Sequence, residues 1–140
     1  MIHLLDTSAI LTHYLDEPGA DRVAELLAEG PERILIAAPS WVELGRRLRE
    51  LVQDDDEQER VFNAYTRDLS RIAVLDVLAT RAALLIQSKS STRLPMIDAL
   101  IAGCASANGA TLVHRDPHFD KIPGAQLKAL RLPDKLRSCR

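Results

Sequence analysis

Short, unbroken apolar runs alternate along this chain with amphipathic stretches, and that alternation leaves few folds open to it. Ile2–Leu5, "RILIAA" from Arg33, "RIAVLDV" from Arg71 and "TLVHRD" from Thr111 are too short and too uniformly apolar to be half-exposed strands. They read as strands buried on both faces. The stretches between them carry helical spacing. "TSAILTHYL" follows the first run, and "ADRVAELLAEG" ends at a Gly stop. "PSWVELGRRLRELV" is predicted to turn Val42, Leu44, Leu48, Leu51 and Val52 inward, and the helix opened by "QDDDEQER" to turn in Val61, Phe62, Tyr65 and Leu69. "ATRAALLIQSKS" and "LPMIDALIAGCASANG" complete the set, the last with Pro95 at its start and Asn108-Gly109 at its end. Strands separated by helices predict a mostly parallel central sheet covered on both sides, a three-layer α/β/α sandwich. "AQLKAL" is a candidate for an added edge strand. Residues 1–140 read as one domain, with no internal repeat or linker.

Aromatic residues make up only 4% of the chain, so its core must be built from Leu, Ile, Val and Ala. No apolar run is long enough to cross a bilayer, and no basic stretch followed by a long apolar run opens the chain. Cys104 and Cys139 are far apart, and Cys104 falls in an apolar helical pattern. That argues against a disulfide framework or a zinc site and for a reducing, cytoplasmic setting. The net charge of −2 conceals an asymmetry. Residues 1–60 hold 14 acids and 6 bases, residues 61–140 hold 6 acids and 12 bases. A basic second half can meet a polyanion, with Arg93, Arg115, Lys121 and Lys128 as the expected contacts.

Four acids fall where an open α/β sheet forms its sites, at strand exits and helix entrances. Asp6 ends the first strand, Glu43 and Asp98 lie in first helical turns, and Asp116 follows "TLVH". Each also has a purely structural reading. Asp6 can cap the helix beginning at Thr7. Ser40 and Glu43 have capping-box spacing. Asp98 suits a helix N-terminus, and Asp116 precedes Pro117 in a turn. The argument for a site is carried by the set. Clustered carboxylates repel one another and recruit a cation. With only oxygen donors and no Cys/His pair at zinc spacing, that cation is Mg²⁺ or Mn²⁺. A metal held this way suits phosphodiester hydrolysis.

The blocks "LLDTSAIL", "APSWVELGRR" and "RLPMIDALIAGCASANGATLVHRDPHFD", in that order and spacing, resemble the PIN domain, and within it the VapC-type toxins of bacterial toxin–antitoxin pairs. The resemblance implies a PIN-like sandwich, Mg²⁺- or Mn²⁺-dependent ribonuclease activity and neutralisation by a VapB-type antitoxin draped over the apolar helices around Trp41–Val52 and Val61–Leu69. It implies Asp6, Glu43, Asp98 and Asp116 as catalytic metal ligands, with Thr7 or Ser8 lending a hydroxyl. The surplus apolar surface of those helices also predicts a homodimer. The family often has Thr where this chain has His114. His114 reads first as a surface residue, with a supporting role behind the acids as the alternative. Asp120 reads as a loop charge, and His3, His13 and His118 as structural. Arg46, Arg47 and Arg49 read first as a solvated helix face, with contact to RNA phosphates or to the site itself as the alternative.

Two other readings compete. An aspartyl-nucleophile phosphatase of the haloacid-dehalogenase type also places an Asp after strand one, but it wants a second Asp where this chain has Ser8. A catalytically inactive PIN-like module would bind a partner without cutting anything.

Overall fold

The computed structural model describes residues 1–135; residues 136–140, Cys139 among them, lie outside the described part. Five strands form one sheet: β1 (His3–Leu5), β2 (Ile34–Ala37), β3 (Arg71–Ala73), β4 (Thr111–His114) and β5 (Ala129–Arg131). Their order is β3-β2-β1-β4-β5, and every pair is parallel. Six helices connect them: α1 (Thr7–Tyr14), α2 (Ala20–Leu27), α3 (Ala38–Leu51), α4 (Asp55–Asn63), α5 (Val77–Lys89) and α6 (Met96–Ala107). This is the expected PIN-like sandwich.

The three central strands, β1, β2 and β4, are covered on both faces. Side chains alternate across a strand, so neighbouring residues enter opposite cores. Leu4, Ala37 and Leu112 pack with α5 and α6. Leu5, Ile36 and Val113 pack with α1 to α4. Cys104 is buried in the first of these cores, as its pattern predicts.

Three expectations are corrected. "RIAVLDV" contributes only Arg71–Ala73 to the sheet; Val74 and Leu75 are exposed on the way to Asp76, which caps α5 through the Ala79 amide at 2.9 Å. The expected edge strand is present but takes only the last two residues of "AQLKAL" and one beyond it, Ala129–Arg131. In α3 only Leu44 and Leu48 point fully inward, while Val42 and Leu51 are exposed. At 100° per residue, Val42 is carried to the side of the helix away from Leu44.

The α5–α6 contact is close because it is lined by small residues. A Cβ added at Gly103 would come within 2.4 Å of the Ala79 carbonyl oxygen and 2.7 Å of the Ala83 Cβ. The helices can reach this separation only with Gly at that point, and α6 carries Asp98. Gly103→Ala is therefore expected to destabilise the fold by about 1–3 kcal/mol, despite the better helix propensity of Ala. Urea denaturation checks this; a neutral or stabilising result would mean the helices can slide apart freely.

Candidate active site

The strand order reverses at β1: β2 and β3 lie to one side, β4 and β5 to the other. A crevice opens at the carboxyl ends of strands at such a point. Asp6 leaves β1 there and Asp116 leaves β4. Glu43 arrives from the first turns of α3 and Asp98 from the first turn of α6. All four line one cleft of about 270 Å³, together with Thr7, Ser8, Arg46 and Arg47.

Asp6 is almost fully buried, and it does cap α1: its Oδ1 accepts the Ala9 amide at 2.9 Å. The same oxygen accepts the Ser8 hydroxyl at 2.6 Å, and Ser8 Oγ accepts the Arg115 amide at 2.9 Å. The Asp6 amide donates to the Val113 carbonyl at 3.1 Å. Asp6 is thus stitched into the seam between β1 and β4. Capping and membership of the cleft coexist here.

Glu43 does not form a capping box. The helix begins at Ala38, two residues before Ser40, so Ser40 lies inside it and no side chain caps it. Pro39 in the first turn explains the early start, since its fixed φ suits a helix entrance and it has no amide to satisfy. Glu43 instead accepts the Thr7 hydroxyl at 3.2 Å. Asp98 and Asp116 are joined through a residue that the sequence pattern had left as structural. His118 Nδ1 lies 3.1 Å from Asp98 Oδ2 and 3.0 Å from Asp116 Oδ1. The sequence signal was the "DPH" spacing: Asp116 caps the turn at Pro117–Lys121 by accepting the His118 amide at 2.9 Å, which turns both side chains to one side. Among the described residues, Asp98, Asp116 and His118 are the one set of three His, Cys or acidic donors lying mutually within 4.8 Å. Asp6 and Glu43 share the cleft without joining a set that tight.

His114 is not a surface residue. It is fully buried, its ring stands edge-on to Phe119 at 5.0 Å, and neither ring nitrogen has a hydrogen-bond partner. Burial lowers its pKa. It packs against Phe119 in the turn that carries His118. Asp120 pairs with Arg131 outside the cleft. Arg115 lines the cleft as well. Its guanidinium donates to Glu17 at 3.0 Å and to the Pro18 and Pro133 carbonyls at 2.9 Å, and these bonds brace the cleft wall.

A family model for the PIN domain matches residues 3–125. The chain belongs to the PIN domain family. Solved structures agree in fold. VapBC2 from Rickettsia felis, bound to a DNA fragment from its promoter, shares 19% identity at a TM-score of 0.75 over 95% of this chain and 100% of that one. DNA-bound VapBC from Salmonella typhimurium shares 20% at 0.74, over 94% and 98%. Mycobacterium tuberculosis VapC20, a sarcin-ricin loop cleaving toxin, shares 14% at 0.62, over 84% and 92%. A search of curated protein sequences gave no match.

The electrostatics of this PIN domain cleft favour a cation. Burial, with repulsion from Asp116 and Glu43, pushes Asp6 up to about 7 against the pull of its Ser8 and Ala9 hydrogen bonds. Burial, followed by repulsion from Asp116, raises Asp98 to about 6. Among the described residues no Lys or Arg forms an ion pair with any of the four acids; Arg47 pairs with Glu50, and Arg115 and Lys135 with Glu17. These oxygen donors fit a hard divalent cation.

A raised carboxyl pKa has a definite sign. Unfolded Asp6 loses its proton near pH 4 and folded Asp6 near 7. Between those values the folded state holds more protons, so its stability falls as pH rises. Asp6→Asn keeps a capping oxygen without the charge. Its stability relative to wild type, measured in EDTA, is expected to rise across pH 4–7 by on the order of 2–4 kcal/mol. Excess Mg²⁺ should restore the wild type's deficit. A difference that is flat with pH would mean Asp6 titrates normally.

Proposed function

We propose that this chain is a VapC-type toxin, a Mg²⁺- or Mn²⁺-dependent endoribonuclease of the cytoplasm, and that residues 1–140 act as one domain. The observation that carries this reading is the convergence of Asp6, Glu43, Asp98 and Asp116 on one cleft, where burial and mutual repulsion raise the carboxyl pKa values of Asp6 and Asp98. Family membership and the fold shared with a toxin described as cleaving the sarcin-ricin loop support it.

Asp6, Glu43, Asp98 and Asp116 would hold the cation. Once bound, it would orient and activate a water and neutralise charge building on the phosphoryl group. The Ser8 hydroxyl fixes the Asp6 carboxylate and the Thr7 hydroxyl fixes that of Glu43, so both reach the cleft already oriented. The RNA path runs past Arg46 and Arg47, cationic residues on the cleft lining that come from the acidic first half of the chain. Arg115 lines the same cleft.

The decisive experiment is cleavage of total RNA by purified protein. Expected are products with 3′-hydroxyl and 5′-phosphate ends, and complete loss of cleavage in EDTA. Asp6→Asn should lose at least about a hundredfold, since a metal supplies several kcal/mol of transition-state stabilisation. Equal cleavage in EDTA, or full activity in Asp6→Asn, would sink the reading.

Two apolar surfaces fit the partners of such a toxin. Trp41, Val42, Leu48 and Phe62 line a groove of about 430 Å³ between α3 and α4, with Trp41 and Phe62 edge-on at 5.6 Å. An amphipathic helix laid in such a groove is a recurring mode of recognition, and it suits a VapB-type antitoxin. VapBC2 and FitAB were each solved bound to DNA, and a toxin–antitoxin complex from Klebsiella pneumoniae shares the fold. A second surface, Val74, Leu75, Val77, Leu78 and Leu84, runs from the end of β3 along α5. It suits a homodimer better than α3 and α4 do. Light scattering is expected to give a dimer at micromolar concentration, and Leu78→Glu a monomer. A wild-type monomer would contradict this.

A further inference from the structure

His118 stands apart from the four acids because its position is built with more care than a solvated turn needs. Asp116 caps the turn and Pro117 fixes its first dihedral. Phe119, almost wholly buried, anchors the following residue. The His118 side chain is 45% exposed, yet its Nδ1 is closed to solvent. That nitrogen lies 3.1 Å from Asp98 Oδ2 and 3.0 Å from Asp116 Oδ1, between the two carboxylates. Those separations suit donors converging on a common centre: in octahedral coordination with bonds of about 2.1 Å, neighbouring donors lie about 3.0 Å apart.

We propose that His118 is a nitrogen donor to the divalent cation beside Asp98 and Asp116, and that it moves the preference of the site from Mg²⁺ towards Mn²⁺. This rests on reading the cleft as a divalent-cation site. Mg²⁺ is hard and demands oxygen, whereas imidazole binds first-row transition ions more readily. An all-carboxylate cleft would take either ion. One nitrogen donor makes it a mixed site in which Mn²⁺ has the advantage.

The test uses the full chain, stripped with chelator and free of RNA. Calorimetric titration with Mn²⁺ and separately with Mg²⁺ gives the affinity ratio. Electron spin-echo modulation of bound Mn²⁺ reports a directly coordinated ¹⁴N. Wild type should show the nitrogen signal, and His118→Asn and His118→Gln should lose it. The Mn²⁺-to-Mg²⁺ affinity ratio should fall about tenfold or more in both variants. Thermal unfolding in EDTA confirms that they remain folded. Mn²⁺ bound through Asp98 with no nitrogen signal would overturn the donor assignment while leaving the cation site standing. An equal loss of both ions in the His118 variants would also overturn it, leaving His118 a positioning residue. Mn²⁺ binding unaffected by Asp98→Asn, or no binding at all, would bring down the cation site and the role of His118 with it.

Discussion

A carboxylate sealed between two parallel strands has nowhere to send its charge, and the upper edge of this sheet is arranged around that fact. Asp6 is anchored by the Ser8 hydroxyl, the Ala9 amide and, through its own amide, the Val113 carbonyl. Those bonds also join β1 to β4 at the place where the strand order reverses. The carboxylate is largely desolvated, and the bonds it accepts do not fully replace water, so its proton is held well above the ordinary range. Bringing Glu43, Asp98 and Asp116 to the same cleft adds repulsion to desolvation. Desolvation and mutual repulsion there work against the bonds that cap α1, so the cluster gives up stability locally unless a positive charge offsets it.

The stability lost at the cleft has to come from the two cores beneath it. Leu4 and Leu5, adjacent in sequence, enter opposite cores, as do Leu112 and Val113. Each central strand therefore ties both helical layers together. The tight α5–α6 contact at Gly103 fixes the height of α6 against the sheet and, through it, the place of Asp98. The rigidity of one face thus sets the geometry of a site that opens at its edge.

The sandwich was legible in the sequence because uninterrupted apolar runs of four or five residues have few other uses. The convergence of the acids was legible because parallel strands deliver their ends to one edge. What could not be read came from choices made by neighbouring side chains. Ser40 and Glu43 have capping-box spacing, yet Pro39 starts the helix early and leaves Glu43 to Thr7. His114 carries a polar side chain at the end of a strand, where exposure is the usual outcome; here Phe119 closes over it. His118 was missed because its role depends on the Asp116 turn, and a turn's side-chain direction is not a periodic signal. Arg115 lay in a basic region, but its partner Glu17 is 98 residues away in sequence, beyond the reach of any local pattern.

That distant pair bears on how the cleft can recognise anything. Arg115 clasps Glu17 and Pro18 from the loop between α1 and α2, and Pro133 from the segment after β5. One wall is therefore an arch whose two feet, far apart in sequence, meet on Glu17, which Lys135 also reaches at 3.4 Å. The cleft has that wall only once both ends of the described chain have folded against each other, so whatever it admits is selected by the finished fold and not by any one segment.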